Sequence, residues 1–302
     1  MKITERYTAL IVEHSQITAV EIAHSPKGRT LTSAGSFLSS VNFNDPATFE
    51  ETGTTKREKI FATELQSFLK KIGNGSKIFS VGLNSQMVLM QTLPLDTTLS
   101  EKELKEHLLW EFSQHSLDTN TDGYFSSASP FVSEEQNVAP AVMVSIKKSM
   151  INFFTTVLEK VYGTLHIVDI DQFCAENALL FNYPHVAAKR TVLVGFDEET
   201  FDASTLVKGK TADILTMEYG KGMDVTHIVE YVKNMSAEVL FLHGRSLTRS
   251  MIENISQHIS LPIEVLDPFW KIALPATLKN IEGIKLRRQE YAAAVGLALR
   301  EE

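Results

Sequence analysis

The sequence predicts an α/β fold in which a βββαβ unit occurs twice, with a small α+β subdomain inserted between the copies. Three β-rich runs, a helical run and a short β run open the chain, and the same order returns about 180 residues later. The two stretches share little sequence, so the pattern of elements repeats and not the residues. The region between them reads strand, helix, strand, strand, helix, strand, an α+β arrangement of its own.

In the first unit, Tyr7–Val12 and Ile17–Ala23 flank the polar bend Glu13-His14-Ser15-Gln16, and a third run covers 29–38 after Pro26-Lys27-Gly28. These form a three-stranded antiparallel meander. Residues 40–55 are rich in Asn, Asp, Thr and Gly and read as a loop. Ile60, Phe61, Leu65, Phe68 and Leu69 then repeat at helical spacing over 56–72. Gly73-Asn74-Gly75 stops that helix before a strand at 77–81. In the second unit, strands are expected at 191–196, 201–208 and 212–219, a helix at 224–233 and a strand at 238–242. A helix at 246–259 with Ser246 as its N-cap, a strand at 261–265 and an Ala-rich helix at 289–300 complete the chain.

In the inserted region, strands are expected at 86–92, 124–131, 139–146 and 164–168. The helix at 100–115 opens with Ser100 and Glu103 in capping-box spacing and carries Leu104, Leu108, Leu109 and Phe112 on one face. A second helix at 147–162 carries Phe153, Phe154, Val157 and Leu158, and a helix at 171–180 leads into the second unit.

Composition narrows the function classes. Lys+Arg 29 against Asp+Glu 37 gives a net charge of −8, which argues against broad nucleic-acid binding. The single cysteine, Cys174, allows no intrachain disulfide and suits a reducing compartment. Residues 1–9 lack the apolar segment of a signal peptide, and no run reaches the length of a membrane span. A cytoplasmic protein without direct membrane insertion is expected. The short basic cluster Lys285, Arg287 and Arg288 reads as a solvated face, with an acidic partner or a membrane surface as the alternative.

The tail Leu261-Pro262-Ile263-Glu264-Val265-Leu266-Asp267-Pro268-Phe269, followed by Tyr291-Ala292-Ala293-Ala294-Val295-Gly296-Leu297-Ala298-Leu299-Arg300, resembles the "pV…DPF" and "yAvAvGLALR" endings of type IV pilus assembly proteins of the PilM family. Leu93-Pro94-Leu95 with the following Ser100-Glu101-Lys102-Glu103-Leu104, and Ile167-Val168-Asp169-Ile170-Asp171-Gln172-Phe173, are similar to two internal segments of that family. The resemblance spans nearly the whole chain in consistent order. It implies an actin-like (ribonuclease H-like) fold, divided as 1–83 with 164–188 and 285–302 for the first body, 84–163 for the insert and 189–284 for the second. It also implies a cytoplasmic scaffold, peripheral at the inner membrane, that grips the N-terminal tail of a PilN-like inner-membrane protein in a groove beside the insert. Phe112, Phe153 and Phe154 are the candidate groove residues; self-association stays open.

Actin-like ATPases hold phosphates on two β-turns whose N–H groups point at the anion, with glycines that let the backbone approach and an aspartate for Mg²⁺. Against the family's "DIGSSSVK", this chain places Ile11 at the Asp, Glu13 at the Gly and Thr18 at the Lys; Ser15 keeps the character of the turn. Against "VDIGASST", Gly195 stands at the Asp and Asp197 at the Gly, followed by Glu198 and Glu199. The adenosine-side glycines reduce to Gly244 in His243-Gly244-Arg245-Ser246. A degenerate nucleotide site over Glu13, His14, Ser15, Asp197, Glu198, Gly244, Arg245 and Ser246, with no catalytic residue and no cofactor, is expected; the alternative is an ATP–Mg binding protein, weak ATPase or kinase.

Asp118-Thr119-Asn120-Thr121-Asp122-Gly123 matches the opening of a calcium loop, but Ser129 stands at its twelfth position in place of the bidentate Glu. The nine histidines show no metal-ligand spacing, so no metal is expected.

Overall fold

A computed structural model describes residues 5–50, 54–115, 121–132, 138–218 and 225–300. The first unit comprises β1 (Glu5–Glu13), β2 (Gln16–Ser25), β3 (Gly28–Leu38), α1 (Thr54–Ile72) and β4 (Ile78–Leu83). The insert contributes β5 (Leu89–Asp96), α2 (Glu101–His115), β6 (Tyr124–Pro130) and β7 (Val138–Lys147). The chain returns to the first unit through α3 (Lys148–Lys160) and β8 (Thr164–Ile170), and α4 (Asp171–Asn182) leads out. The second unit comprises β9 (Thr191–Phe196), β10 (Thr200–Val207), β11 (Lys210–Glu218), α5 (Thr226–Asn234), β12 (Val239–Gly244), α6 (Arg249–His258) and β13 (Ile263–Val265). The last helices are α7 (Ile281–Leu286) and α8 (Ala292–Ala298).

The two units have one topology. The sheet orders are β3-β2-β1-β4-β8 and β11-β10-β9-β12-β13, each an antiparallel meander followed by two parallel strands. The unbroken apolar character of Ala9–Val12 follows from burial on both faces. Ala9 and Ile11 point inward to a core filled by Cys174, Ala175 and Ala178 of α4 and Ala292–Ala298 of α8; Leu10 and Val12 point outward under α1 and α3. The outer face of the second sheet is covered the same way by α5 and α6. The layers are therefore helices, sheet, the α4–α8 pair, sheet, helices.

Gly73, at φ +81°, ends α1 as expected: its N–H and that of Asn74 both donate to the Leu69 carbonyl at 3.0 Å. The 40–55 stretch read as loop contains a 3₁₀ turn at Pro46–Phe49 that buries Phe49 in the outer core of the first sheet. Ser246 does not cap α6. Thr248 does, accepting from the Met251 N–H at 3.3 Å, because the preceding residues stay tied to the end of β9.

The insert is a three-stranded antiparallel sheet, β5-β7-β6, with α2 across one face. Leu108 and Phe112 of α2 seal onto Leu93, Leu95, Ala141 and Met143. The expected capping box forms: Glu103 Oε2 accepts from the Ser100 N–H at 2.9 Å, and the Ser100 hydroxyl accepts from the Glu103 N–H at 3.4 Å. The helix at 148–160 differs from expectation. Phe153 and Phe154 pack against Phe43, Phe49 and Phe61 under the first sheet, so α3 is the counterpart of α6 and not a part of the insert. Phe112, Phe153 and Phe154 are each 1% exposed. Core packing consumes all three rings, and none lines a groove.

The tightest constraint lies between α4 and α8. A Cβ placed on Gly296 would sit 1.7 Å from the Cys174 carbonyl oxygen, a backbone atom that cannot step aside. The small residues Ala175, Ala178, Ala292 and Ala294 let the two helices close to that distance. Gly296→Ala is expected to destabilise the fold by about 3 kcal/mol or more through overpacking, read as a lower urea midpoint at unchanged m-value.

Candidate functional site

The β1–β2 turn and the β9–β10 turn meet across the inner space between the sheets. Glu13 is the last residue of β1, and His14, at φ +51°, closes a two-residue hairpin. The carbonyls of His14 and Ser15 accept from Phe43 N–H at 2.9 Å and Ser39 N–H at 2.7 Å, which anchors this turn to the segment after β3. In the facing turn, Asp197 accepts from the Glu198 N–H at 2.7 Å, a side-chain turn that holds its carboxylate inward.

Arg245 enters between the turns. Its Nη2 lies 3.2 Å from Glu13 Oε2, 3.6 Å from Asp197 Oδ1 and 3.7 Å from Glu198 Oε1. Gly244 aims it there. At φ +107° the chain swings past the end of β9, where a Cβ would lie 2.3 Å from the Phe196 carbonyl oxygen. His14 Nε2 stands 3.6 Å from Asp197 Oδ2, and Asn84 Nδ2 donates to that oxygen at 3.0 Å while reaching Asp171 Oδ2 at 3.5 Å.

Deeper in the cleft, Ser85 Oγ donates to Asp202 Oδ2 at 3.0 Å and Thr216 donates to its other oxygen. Gln172 donates to Ser204 Oγ at 2.9 Å and to the Leu193 carbonyl at 3.1 Å, and its own carbonyl lies 3.2 Å from His243 Nε2. Gly195 has a packing reason. A Cβ there would come within 2.7 Å of the His243 ring, so an aspartate at that position is incompatible with this imidazole.

Burial dominates the electrostatics. It pushes the Glu13 carboxyl up to about 8, with the neighbouring Asp197 charge adding and Arg245 offsetting part of the rise. Asp171 is raised well above the usual carboxylate range by burial and then by Asp202, Glu13 and Asp197. Burial lifts Asp202 to about 6 against the hydrogen bonds from Thr216 and Ser85, and lowers His243 to about 4. Near neutral pH the cleft thus holds protonated carboxyls beside a guanidinium already shared among three acids.

That donor set does not fit a triphosphate. The anion would meet the acids Asp197, Glu198 and Asp202, and Arg245, aimed between the turns, already lies within 3.2–3.7 Å of the protein's own Glu13, Asp197 and Glu198. No three His, Cys, Asp or Glu side chains among the described residues are arranged to hold a metal ion. Of the calcium-loop residues, Asp118, Thr119 and Asn120 lie outside the described residues; Thr121–Gly123 forms a 3₁₀ turn and Ser129 lies in β6.

The structure brings Glu13, His14, Asp197, Glu198, Gly244 and Arg245 together. Ser15 and Ser246 border them through backbone contacts, the Ser246 N–H donating to the Phe196 carbonyl at 3.4 Å. Sequence reasoning missed Asn84, Ser85, Asp171, Gln172, Asp202 and His243. The one available signal was the polar alternation Thr200, Asp202, Ser204 along an otherwise apolar strand, which marks a face turned to a polar cleft.

A duplicated βββαβ pair closing two turns onto a common cleft is the actin-like ATPase fold. No known family profile and no curated protein matches the chain. Among solved structures it is similar to a chain of the PilM-PilN type IV pilus biogenesis complex, with TM-score 0.77, 14% identity and 99% of each chain covered. It is also similar to a Bacteroides thetaiotaomicron protein of actin-like ATPase fold and unknown function, at TM-score 0.52 and 11% identity over 88% and 92% of the two chains. Ethanolamine utilization protein EutJ from Carboxydothermus hydrogenoformans gives 0.51 and 10% over 98% and 90%.

Two outcomes follow from the cleft. Glu13 binds its proton more tightly folded than unfolded, so its contribution is full below the ordinary glutamate value of 4.5 and is lost as pH rises through about 8. Glu13→Gln is expected to flatten the fall in melting temperature across that window. Arg245→Ala removes the guanidinium beside Glu13 and Asp197 and is expected to cost about 3 kcal/mol in urea unfolding above pH 8, where Glu13 is ionised, and less below it, where Glu13 is protonated.

Proposed function

We propose that this chain is a cytoplasmic scaffold of type IV pilus assembly, or of a related secretion system. It binds the N-terminal tail of a PilN-type inner-membrane protein and is held at the membrane through that partner. The observation that carries this reading is the end-to-end similarity to a chain of the PilM-PilN complex, over 99% of both chains. Among the described residues, no helix is long and apolar enough to cross a membrane, which suits attachment through a partner.

A groove of about 510 Å³ beside the insert suits a tail. Its apolar wall comes from the half-buried Val144 and Ile146 of β7, with Val142 buried beside them, on the side of the insert sheet that α2 does not cover. Ile167 and Ile170 of β8 and Phe173 of α4 face it. Apolar walls of this size with few polar groups are what short peptide segments need. A scaffold that works through binding free energy alone, without nucleotide turnover, suits a cleft whose guanidinium, Arg245, already stands within ion-pair distance of Glu13, Asp197 and Glu198.

Isothermal titration with ATP–Mg²⁺, followed by the PilN-type N-terminal peptide of the same genome, tests both halves. Peptide heat without ATP heat is expected. Clear ATP binding with slow phosphate release would restore the alternative, a weak ATPase or kinase whose acids serve a metal. Val144→Asp places a carboxylate on the apolar wall and is expected to weaken the peptide by about tenfold or more, with melting checked to confirm the fold.

A further inference from the structure

β8 is the outermost strand of the first sheet, paired to β4 on one side. No strand pairs with its other side among the described residues. An outer parallel strand turns alternate N–H and C=O groups outward, ready to bond another chain. The equivalent strand of the second unit, β13, runs only from Ile263 to Val265, whereas β8 runs from Thr164 to Ile170.

Two cavities lie along this open edge. The groove of about 510 Å³ touches β8 over 167–170, and a second of about 300 Å³ touches it over 164–168. Ile151 and Val168 line both, so together they follow the whole strand. Opposite the edge stands the bare face of the insert sheet, where Phe125, Ser127 and Ser129 of β6 pair with Ile146, Val144 and Val142 of β7. This face alternates apolar and small polar groups and holds no charge.

We propose that the partner's tail is captured as an added strand on the free edge of β8, extending the first sheet to six strands and laying its alternate side chains on the bare face of the insert sheet. This rests on the tail-binding reading above and specifies how that tail is recognised. β8 accommodates about 23 Å of extended chain, roughly seven residues. The ligand is an extended segment with apolar residues at every second position. Its charge is basic at the Thr164 end, where Glu159 lines the cavity, and neutral at the Ile170 end, where Arg300 and Asp169 pair with each other; cytoplasmic flanks of membrane spans are rich in Lys and Arg. Main-chain bonds supply affinity and the alternate side chains select register.

The test is an N-methyl scan of the PilN-type N-terminal peptide against the full chain, with amide hydrogen exchange on β8. Methylation is expected to weaken binding by about tenfold or more at every second residue and to spare those between, and β8 amides are expected to gain protection in the complex. A bound peptide whose affinity ignores backbone methylation, or loses it in a helical period, overturns strand addition and leaves the scaffold reading standing. An unmodified peptide that does not bind overturns both. A free protein that sediments as a dimer with β8 amides already protected assigns the edge to a second copy and overturns the proposal.

Discussion

Everything in this molecule hangs on how closely α4 and α8 approach. They form the middle layer between two five-stranded sheets, and their separation sets the distance between the sheets. Gly296 against the Cys174 carbonyl fixes that distance from one side, and the alanines on both helices fix it from the other. Side chains of ordinary size there would wedge the layers apart and separate the two turns that Arg245 bridges. The same helix pair also fixes the β8–α4 junction. That junction turns Asp171 and Gln172 into the cleft while Asp169, Ile170 and Phe173 line the groove. Cleft and groove therefore share one rigid corner.

The cleft is built from the two turns and the residues that close between them. Both hairpin turns remain, as does the glycine that swings the chain past the end of β9. Acids line the space between the turns, and burial raises Glu13 and Asp171 so far that protons are retained at neutral pH, whereas Asp202, lifted to about 6, is mostly ionised there. Arg245 then supplies the positive charge that the space requires. Such a network rarely adds much stability beyond an apolar filling of the same volume, but breaking one member leaves the others uncompensated. It specifies how the two units face each other.

The insert adds a surface. A three-stranded sheet with one face under α2 and one face bare is incomplete as a folding unit, and its bare face lies along the open edge of β8. Core aromatics are not what makes the groove. It comes from Phe125, Ser127 and Ser129 of β6 and the β-branched residues opposite them on β7, where the strand period sends one set to α2 and the other to the groove.

The sequence by itself determined the architecture: two βββαβ units, an α+β insert and the Ser100–Glu103 cap. Those features are local, written in spacing of two or three to four residues and in turn chemistry, and local patterns need no partner to be read. The resemblance of the tail to PilM-type endings pointed to the same fold that the solved structures share. Only the tertiary structure decided what each pattern faces. Phe153 and Phe154 have a helical period that fits an insert helix as well as a core helix, and packing alone assigned them to the first sheet. The resemblance had grouped Glu13, Asp197 and Arg245, but Asn84, Asp171 and Asp202 are far apart in sequence and nothing in one-dimensional spacing joins them to that cleft. Charge at a distance and the free side of a strand are properties of arrangement, which exists only once the sheets have closed on α4 and α8.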